Sequence, residues 1–164
     1  MLADMPLKLR PFTLGDAGGV ASLVGDRAVS KWTSNIPFPY TEQDAIAWIS
    51  QATTDSLRKP QAVECDGQLV GCVSYWPYPS GGFEVGYWIG KAFWGRGICT
   101  AALRQLIGSD KFPAQAAIYA KVMEKNTGSQ RVLEKCGFSL LEAAAIVKGG
   151  RKIKARIYVR AAVT

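Results

Sequence analysis

The stretch from Phe83 to Leu106, FEVGYWIGKAFWGRGICTAALRQL, constrains this chain more than any other. An apolar, aromatic strand (Phe83 to Ile89) runs into a loop, Gly90 to Gly97, with three glycines. A helix follows, with apolar Ile98, Ala101, Ala102, Leu103, Leu106 and Ile107. The first backbone N–H groups of a helix lack intrahelical partners and sit at the positive end of the macrodipole, so this is a place to hold an anion. Gly95 and Gly97 let the backbone approach a phosphate where a Cβ would obstruct. Glycine-bearing loops are also plain connections before helices, and at this level both readings stay open.

The rest of the chain narrows the choice. Its 164 residues suit a single domain, 1–164, with one sizeable core. Charges and glycines interrupt every apolar run before it reaches membrane-spanning length, so no membrane partner is expected. The N-terminal MLADMPLKLR shows no apolar signal region. Cys65, Cys72, Cys99 and Cys136 form no C-x-x-C pair, which fits reduced thiols in a cytoplasmic protein without a metal. The chain has no histidine. Ser-His-Asp and Cys-His nucleophiles are thereby excluded, and proton transfer falls to a carboxylate, Tyr, Lys, Cys, Ser or water. The net charge of +7 fits an anionic ligand, an acidic protein partner or nucleic acid. The basic residues are scattered except between Lys148 and Arg160, where a solvated strand pair is favoured over a nucleic-acid surface.

Periodicity predicts the order β α α β β β α β α β β. Leu7 to Pro11 alternates as a strand, and a helix from Thr13 or Gly15-Asp16 runs through Val24, weakened by Gly18 and Gly19. Ser30 to Tyr40 reads as a loop, and Thr41 caps a helix carrying Ala45, Ile46, Trp48 and Ile49. A polar linker spans Thr53 to Pro60. Strands Gln61 to Cys65 and Leu69 to Tyr75 flank Asp66-Gly67, a hairpin signal. Ala116 to Val122 is a strand. Asn126-Thr127 opens a helix through Cys136 that Gly137 and Phe138 end in Schellman fashion. Strands Ser139 to Val147 and Lys152 to Val159 meet at Gly149-Gly150. Antiparallel hairpins thus surround one crossover, Phe83 to Val122, and a ligand belongs where its first strand ends and its helix begins.

These residues resemble the GNAT N-acetyltransferases, and within them the RimJ/RimL type that acetylates protein N-termini. The resemblance covers nearly the whole chain, through LRPFTLGDA, PFPYTEQDAIAWI, EVGYWIGKAFWGRGICTAAL, EKNTGSQRVLEKCGF and KGGRKIKARIYV. It implies an α+β GNAT acyl-CoA N-acyltransferase fold, with a mixed, mostly antiparallel sheet of about seven strands flanked by about four helices. It implies acetyl-CoA as donor and a primary amine as acceptor. By the same resemblance Trp94, Gly95, Arg96, Gly97, Ile98, Cys99 and Thr100 wrap the pyrophosphate, and Tyr87, Trp88 and Ile89 hold the pantetheine arm through their backbone. Asn126, Ser129 and Arg131 belong to the same cofactor site. Trp94 stands where many relatives begin the loop with Gln or Arg. Cys99 takes the place of a small Gly or Ala, and could be a filler or a reactive thiol. Lys154 stands where relatives often place an acidic residue.

The catalytic candidates are Ser129 and Glu84. The resemblance implies that Ser129 protonates the leaving sulfur; a first-turn serine bonding locally is the alternative. Asn126 is equally a helix N-cap. Glu84 lies in an otherwise apolar, aromatic strand, so it is either a general base with a raised pKa or a carboxylate paired with an arginine. Alternation puts Glu84, Gly86 and Trp88 on one face and Val85, Tyr87 and Ile89 on the other. Trp32 and Tyr40, in a proline-bearing loop, are expected to face the acceptor with Glu84, while Phe38, Trp48, Trp76 and Tyr78 are further candidates for its wall. Arg131 and Lys135, one turn apart, are either cations for a phosphate or a solvated helix face. Glu42 and Asp44 are the carboxylates expected near that wall, too few for a polyamine. The expected acceptor is a protein or peptide N-terminus. A small-molecule amine (amino sugar, antibiotic or polyamine) and a non-catalytic CoA-binding sensor are the rivals, on a monomer or homodimer.

Overall fold

Alternation along the strands sorts the apolar side chains onto two faces of one sheet. In the computed structural model, which describes residues 6–54, 57–113 and 115–162, Ala62 and Cys72 pack on one face and their neighbours Val63 and Val73 on the other. The first five residues and residues 55–56 of the expected linker lie outside the described residues. The strands are β1 (Leu7–Arg10), β2 (Lys59–Cys65), β3 (Gln68–Pro77), β4 (Phe83–Ile89), β5 (Ile118–Met123), β6 (Ser139–Lys148) and β7 (Arg151–Arg160). They form one seven-stranded sheet in the order β1-β2-β3-β4-β5-β7-β6. Every pairing is antiparallel except β4 with β5, as the single crossover requires.

The helices cover both faces. Helices α1 (Ala17–Val24) and α3 (Glu42–Thr54) bury Val20, Val24, Ala45 and Ile49 against Ala62 and Cys72. Helices α4 (Ile98–Ile107) and α5 (Thr127–Lys135) bury Leu103, Leu106 and Leu133 with Val63, Val73 and Val85. Most expected elements stand within a residue or two. The hairpin turns at Asp66-Gly67 and Gly149-Gly150 have positive φ at both central residues, the geometry that matches strand twist. Phe138 N–H donates to Leu133 and Gly137 N–H to Glu134, the Schellman pair expected at the end of α5.

Three differences have local causes. A short helix, α2 (Arg27–Ser30), fills the unassigned stretch after Val24 and takes in the first residue of the expected Ser30 to Tyr40 loop, because the Asp26 carboxylate accepts from Ala28 N–H at 2.9 Å. Gly18 and Gly19 do not break α1, which follows a 3-10 turn (Leu14–Asp16) closed by a capping box between Thr13 and Asp16. Helix α3 runs to Thr54, into the expected linker. Thr53 and Thr54 turn their hydroxyls back onto the carbonyls of Ser50 and Gln51 rather than leaving the helix. No helix among the described residues is long and apolar enough to cross a membrane.

Candidate active site

The site begins where β4 and β5 part. Their parallel pairing lasts only for Phe83 with Ile118 and Glu84 with Tyr119. Beyond that, β4 stays with β3 as far as Ile89, and β5 stays with β7 as far as Met123. Half the peptide groups of Val85 to Ile89 therefore face a cleft instead of a neighbouring strand. A cavity of about 560 Å³ occupies this cleft.

Two helix N-termini open onto it. At α4, Gly97 is the N-cap with φ +73, a left-handed backbone that Gly95 (φ +75) shares. The first intrahelical bond is Ala101 N–H to Gly97 at 3.0 Å, which leaves the N–H groups of Ile98, Cys99 and Thr100 ahead of it. At α5, Asn126 caps the helix by accepting from Ser129 N–H at 3.2 Å. Lys125, Arg131 and Lys135 add positive charge at the same cavity. Two positive dipole ends and these cations suit a polyanion such as a pyrophosphate.

Of the residues expected to bind cofactor, Tyr87, Trp88, Ile89, Trp94, Gly95, Gly97, Ile98, Cys99, Thr100, Asn126, Ser129 and Arg131 all line this cavity. Arg96 is not among the lining residues. It is exposed, its guanidinium 5.9 Å from the centre of the Phe93 ring. The Trp94 indole N–H donates to the Ile89 carbonyl at 2.7 Å and ties the loop to the end of β4. Burial, with Cys136 nearby, pushes the Cys99 thiol up, so it is protonated and poorly nucleophilic, which favours the filler reading.

A second cavity, of about 580 Å³, lies against the other face of β4. Trp32, Tyr40, Trp48, Trp76 and Trp88 are among its walls, with Ser34 to Ile36 on one side and Ala145 to Val147 of β6 on another. Phe38 is outside it, exposed beneath the Arg27 guanidinium, and Tyr78 instead stacks on Tyr119 at 3.8 Å. Trp48 also serves the core, packing edge-on to Phe12 at 5.0 Å. Gly86 is required by close approach: a Cβ there would lie 2.8 Å from the Trp76 ring. The two cavities share Trp32, Thr33, Val85, Gly86, Tyr87, Trp88 and Lys121. They meet at the middle of β4.

Among the described residues, Glu84 is the only carboxylate lining this second cavity. Burial raises its pKa, against the pull of Lys121, Trp76 and Arg58. Glu42 and Asp44, expected near this wall, do not line it. Asp44, in the first turn of α3, instead closes a capping box with Thr41, accepting from Thr41 N–H at 2.8 Å. Ser129 lies on the other side of β4, in the first cavity, its Oγ 2.5 Å from the Tyr87 hydroxyl.

Several lining or supporting residues carry no signal in the sequence. Arg58 and Lys121 supply the cations around Glu84, and Arg58 lies over the Trp76 ring at 4.2 Å. Lys148, one of a basic run that reads as a solvated strand, is half-buried. Its Nζ donates to the Ser30 carbonyl and to the Thr33 carbonyl at 2.6 Å. The tip of the last hairpin is thereby fastened to the segment that carries Trp32.

Known proteins share this architecture. The Probable N-acetyltransferase YjcK of Bacillus subtilis (strain 168) is 39% identical over 77 residues, 44% of this chain and 42% of YjcK. That match covers less than half of the relative's length. The microcin self-immunity acetyltransferase MccE, solved in complex with acetyl-CoA and AMP, is similar with a TM-score of 0.84 at 22% identity, over 98% of this chain and 94% of that one. RimL, a ribosomal alpha-N-protein acetyltransferase solved with coenzyme A, is similar with a TM-score of 0.80 at 18% identity, over 95% and 94% of the two chains. At these identities what is shared is the fold. Residues 7–139 match the family described as Acetyltransferase (GNAT) domain, and the chain belongs to that family.

Proposed function

We propose that this protein transfers the acetyl group of acetyl-CoA directly to a primary amine, most readily the N-terminus of a protein or peptide, without a covalent enzyme intermediate. The observation that carries the reading is the meeting of two cavities at the middle of β4. A donor held in one and an acceptor held in the other become neighbours, and such positioning has a ceiling of roughly 7–11 kcal/mol of the barrier. Bound acetyl-CoA supplies an activated thioester. The α4 and α5 N-termini with Lys125, Arg131 and Lys135 hold its phosphates, and the open edge of Tyr87 to Ile89 holds its arm. Glu84, raised by burial, takes the proton of the acceptor amine. Ser129 gives a proton to the sulfur as the C–S bond breaks. One backbone N–H at the β4 edge polarises the thioester carbonyl.

The acceptor cavity supports an acceptor with acidic character. Among the described residues its lining holds one carboxylate, Glu84, with Lys121 and Arg58 close by, which gives a polyamine little to pair with. Similarity to RimL supports the peptide reading, as that protein is an alpha-N-protein acetyltransferase. A small-molecule amine is the second reading, favoured by the cavity's 580 Å³, a size typical of small-molecule sites.

The test is thiol release from acetyl-CoA against peptides beginning with Ala, Ser or Met, polyamines, aminoglycosides and free amino acids. Turnover on one peptide class is expected. Turnover on a small amine alone would replace the peptide reading, and binding of CoA without any turnover would point to a sensor.

A further inference from the structure

The scheme above leaves the Tyr87 hydroxyl, which lies at the donor cavity, without work. Its Oη lies 2.5 Å from Ser129 Oγ and 3.3 Å from the Ser129 carbonyl. Val85, Tyr87 and Ile89 share the β4 face that packs on α4 and α5, so the ring reaches Ser129 from the core side. Asn126 already holds the Ser129 N–H, and the position of the serine is thus fixed through both its backbone and its side chain.

Two hydroxyls in one short contact have two protons and need only one between them. A phenol is the stronger acid and an aliphatic hydroxyl the better acceptor, so the bond runs from Tyr87 to Ser129. We propose that Tyr87 is the positioning residue of Ser129: its phenol donates to Ser129 Oγ, and the serine's own proton is left directed into the donor cavity. This rests on the reading of Ser129 as the proton donor.

The proton balance is complete. The acceptor nitrogen attacks the acetyl carbon, the C–S bond breaks, and the Ser129 proton passes to sulfur. The phenol's hydrogen bond strengthens as charge grows on the serine oxygen. Ser129 regains a proton from water once the CoA thiol has left, and the proton lost by the acceptor nitrogen leaves through Glu84. Burial holds the Tyr87 pKa well above that of an ordinary tyrosine, which keeps the phenol a donor at any working pH.

The test compares Tyr87→Phe, Ser129→Ala and the double variant, with CoA binding by calorimetry as the measure of an intact site. Tyr87→Phe keeps the ring and removes only the oxygen. Its kcat is expected to fall about tenfold, the worth of one hydrogen bond of about 1.4 kcal/mol, with the acetyl-CoA KM unchanged. In the Ser129→Ala background the same substitution is expected to do nothing more. An unchanged kcat, or effects that multiply in the double variant, would overturn the assignment. If Ser129→Ala were itself neutral, the role of Ser129 would fall, and that of Tyr87 with it. A test independent of turnover is the Tyr87 hydroxyl proton by NMR. It should exchange slowly in the wild type and quickly in Ser129→Ala, and fast exchange in both would overturn the hydrogen bond.

Discussion

Glu84 titrates out of its ordinary range because of where it sits. Burial holds its carboxyl above the usual glutamate value of 4.5, and the nearby Lys121, Trp76 and Arg58 only partly offset this. A carboxyl with a raised folded pKa binds its proton more tightly in the folded chain. Its contribution to stability is present at low pH and is lost as pH rises through the folded value. Glu84→Gln is therefore expected to raise Tm at pH 8, with a gain that shrinks as the pH falls into the acid range, followed by thermal unfolding across pH. The same change is expected to abolish the acid limb of the kcat/KM profile, where the wild type loses its base to protonation. A profile with the limb intact would remove Glu84 from that role. Glu84 is legible in the sequence as the lone carboxylate of an apolar strand. The Tyr87–Ser129 contact is not, because its partners lie 42 residues apart on elements whose distance only packing sets.

At the scale of elements, the second cavity, proposed to take the acceptor, is walled by pieces that do not share a strand or helix. The segment after α2 and the far end of β6 face each other across it, and Lys148 joins them through the carbonyls of Ser30 and Thr33. Lys148→Met would take this donor from both carbonyls; that of Ser30 keeps the Thr33 N–H and hydroxyl, so the loss falls mainly on that of Thr33, at a cost of about 1–3 kcal/mol. The expected outcome is a lower Tm and an acceptor KM that rises more than the acetyl-CoA KM, with partial rescue by Lys148→Arg. Equal changes in both constants would mean that the latch does not serve the acceptor side. Nothing in the basic run around Lys148 distinguishes this lysine, since the carbonyls that it meets are more than 100 positions earlier in the chain. The caps and turns of other elements are legible, because Asn126, Gly137 and Asp66-Gly67 act on neighbours within a few residues.

Across the whole molecule, the donor cavity gathers β4 from one half of the sheet, β5 from the other and two helices from one face. A ligand there would join parts that the broken β4–β5 pairing leaves apart. CoA at about 100 times its Kd is expected to add about 2.7 kcal/mol to stability. Amide exchange should slow along Val85 to Ile89 and at the α4 and α5 N-termini, as read by hydrogen exchange with and without CoA. Protection confined to the exposed surface, or no thermal shift, would count against the cleft as the CoA site.

The sequence by itself determines the elements and the alternation that turns Glu84 to one face of β4 and Tyr87 to the other. It also determines the glycine loop that opens α4. These depend on backbone torsions, caps and periodicity, which act within a few residues. The tertiary structure alone decides that β4 and β5 separate after two pairs, so that a cleft exists at all. It also brings Arg58 and Lys121 to the second cavity and Lys148 to the Thr33 carbonyl, and sets the Tyr87 hydroxyl against Ser129. Those contacts depend on how helices on both faces pack against one twisted sheet. Distances between remote residues are set by that packing and leave no local pattern in the chain.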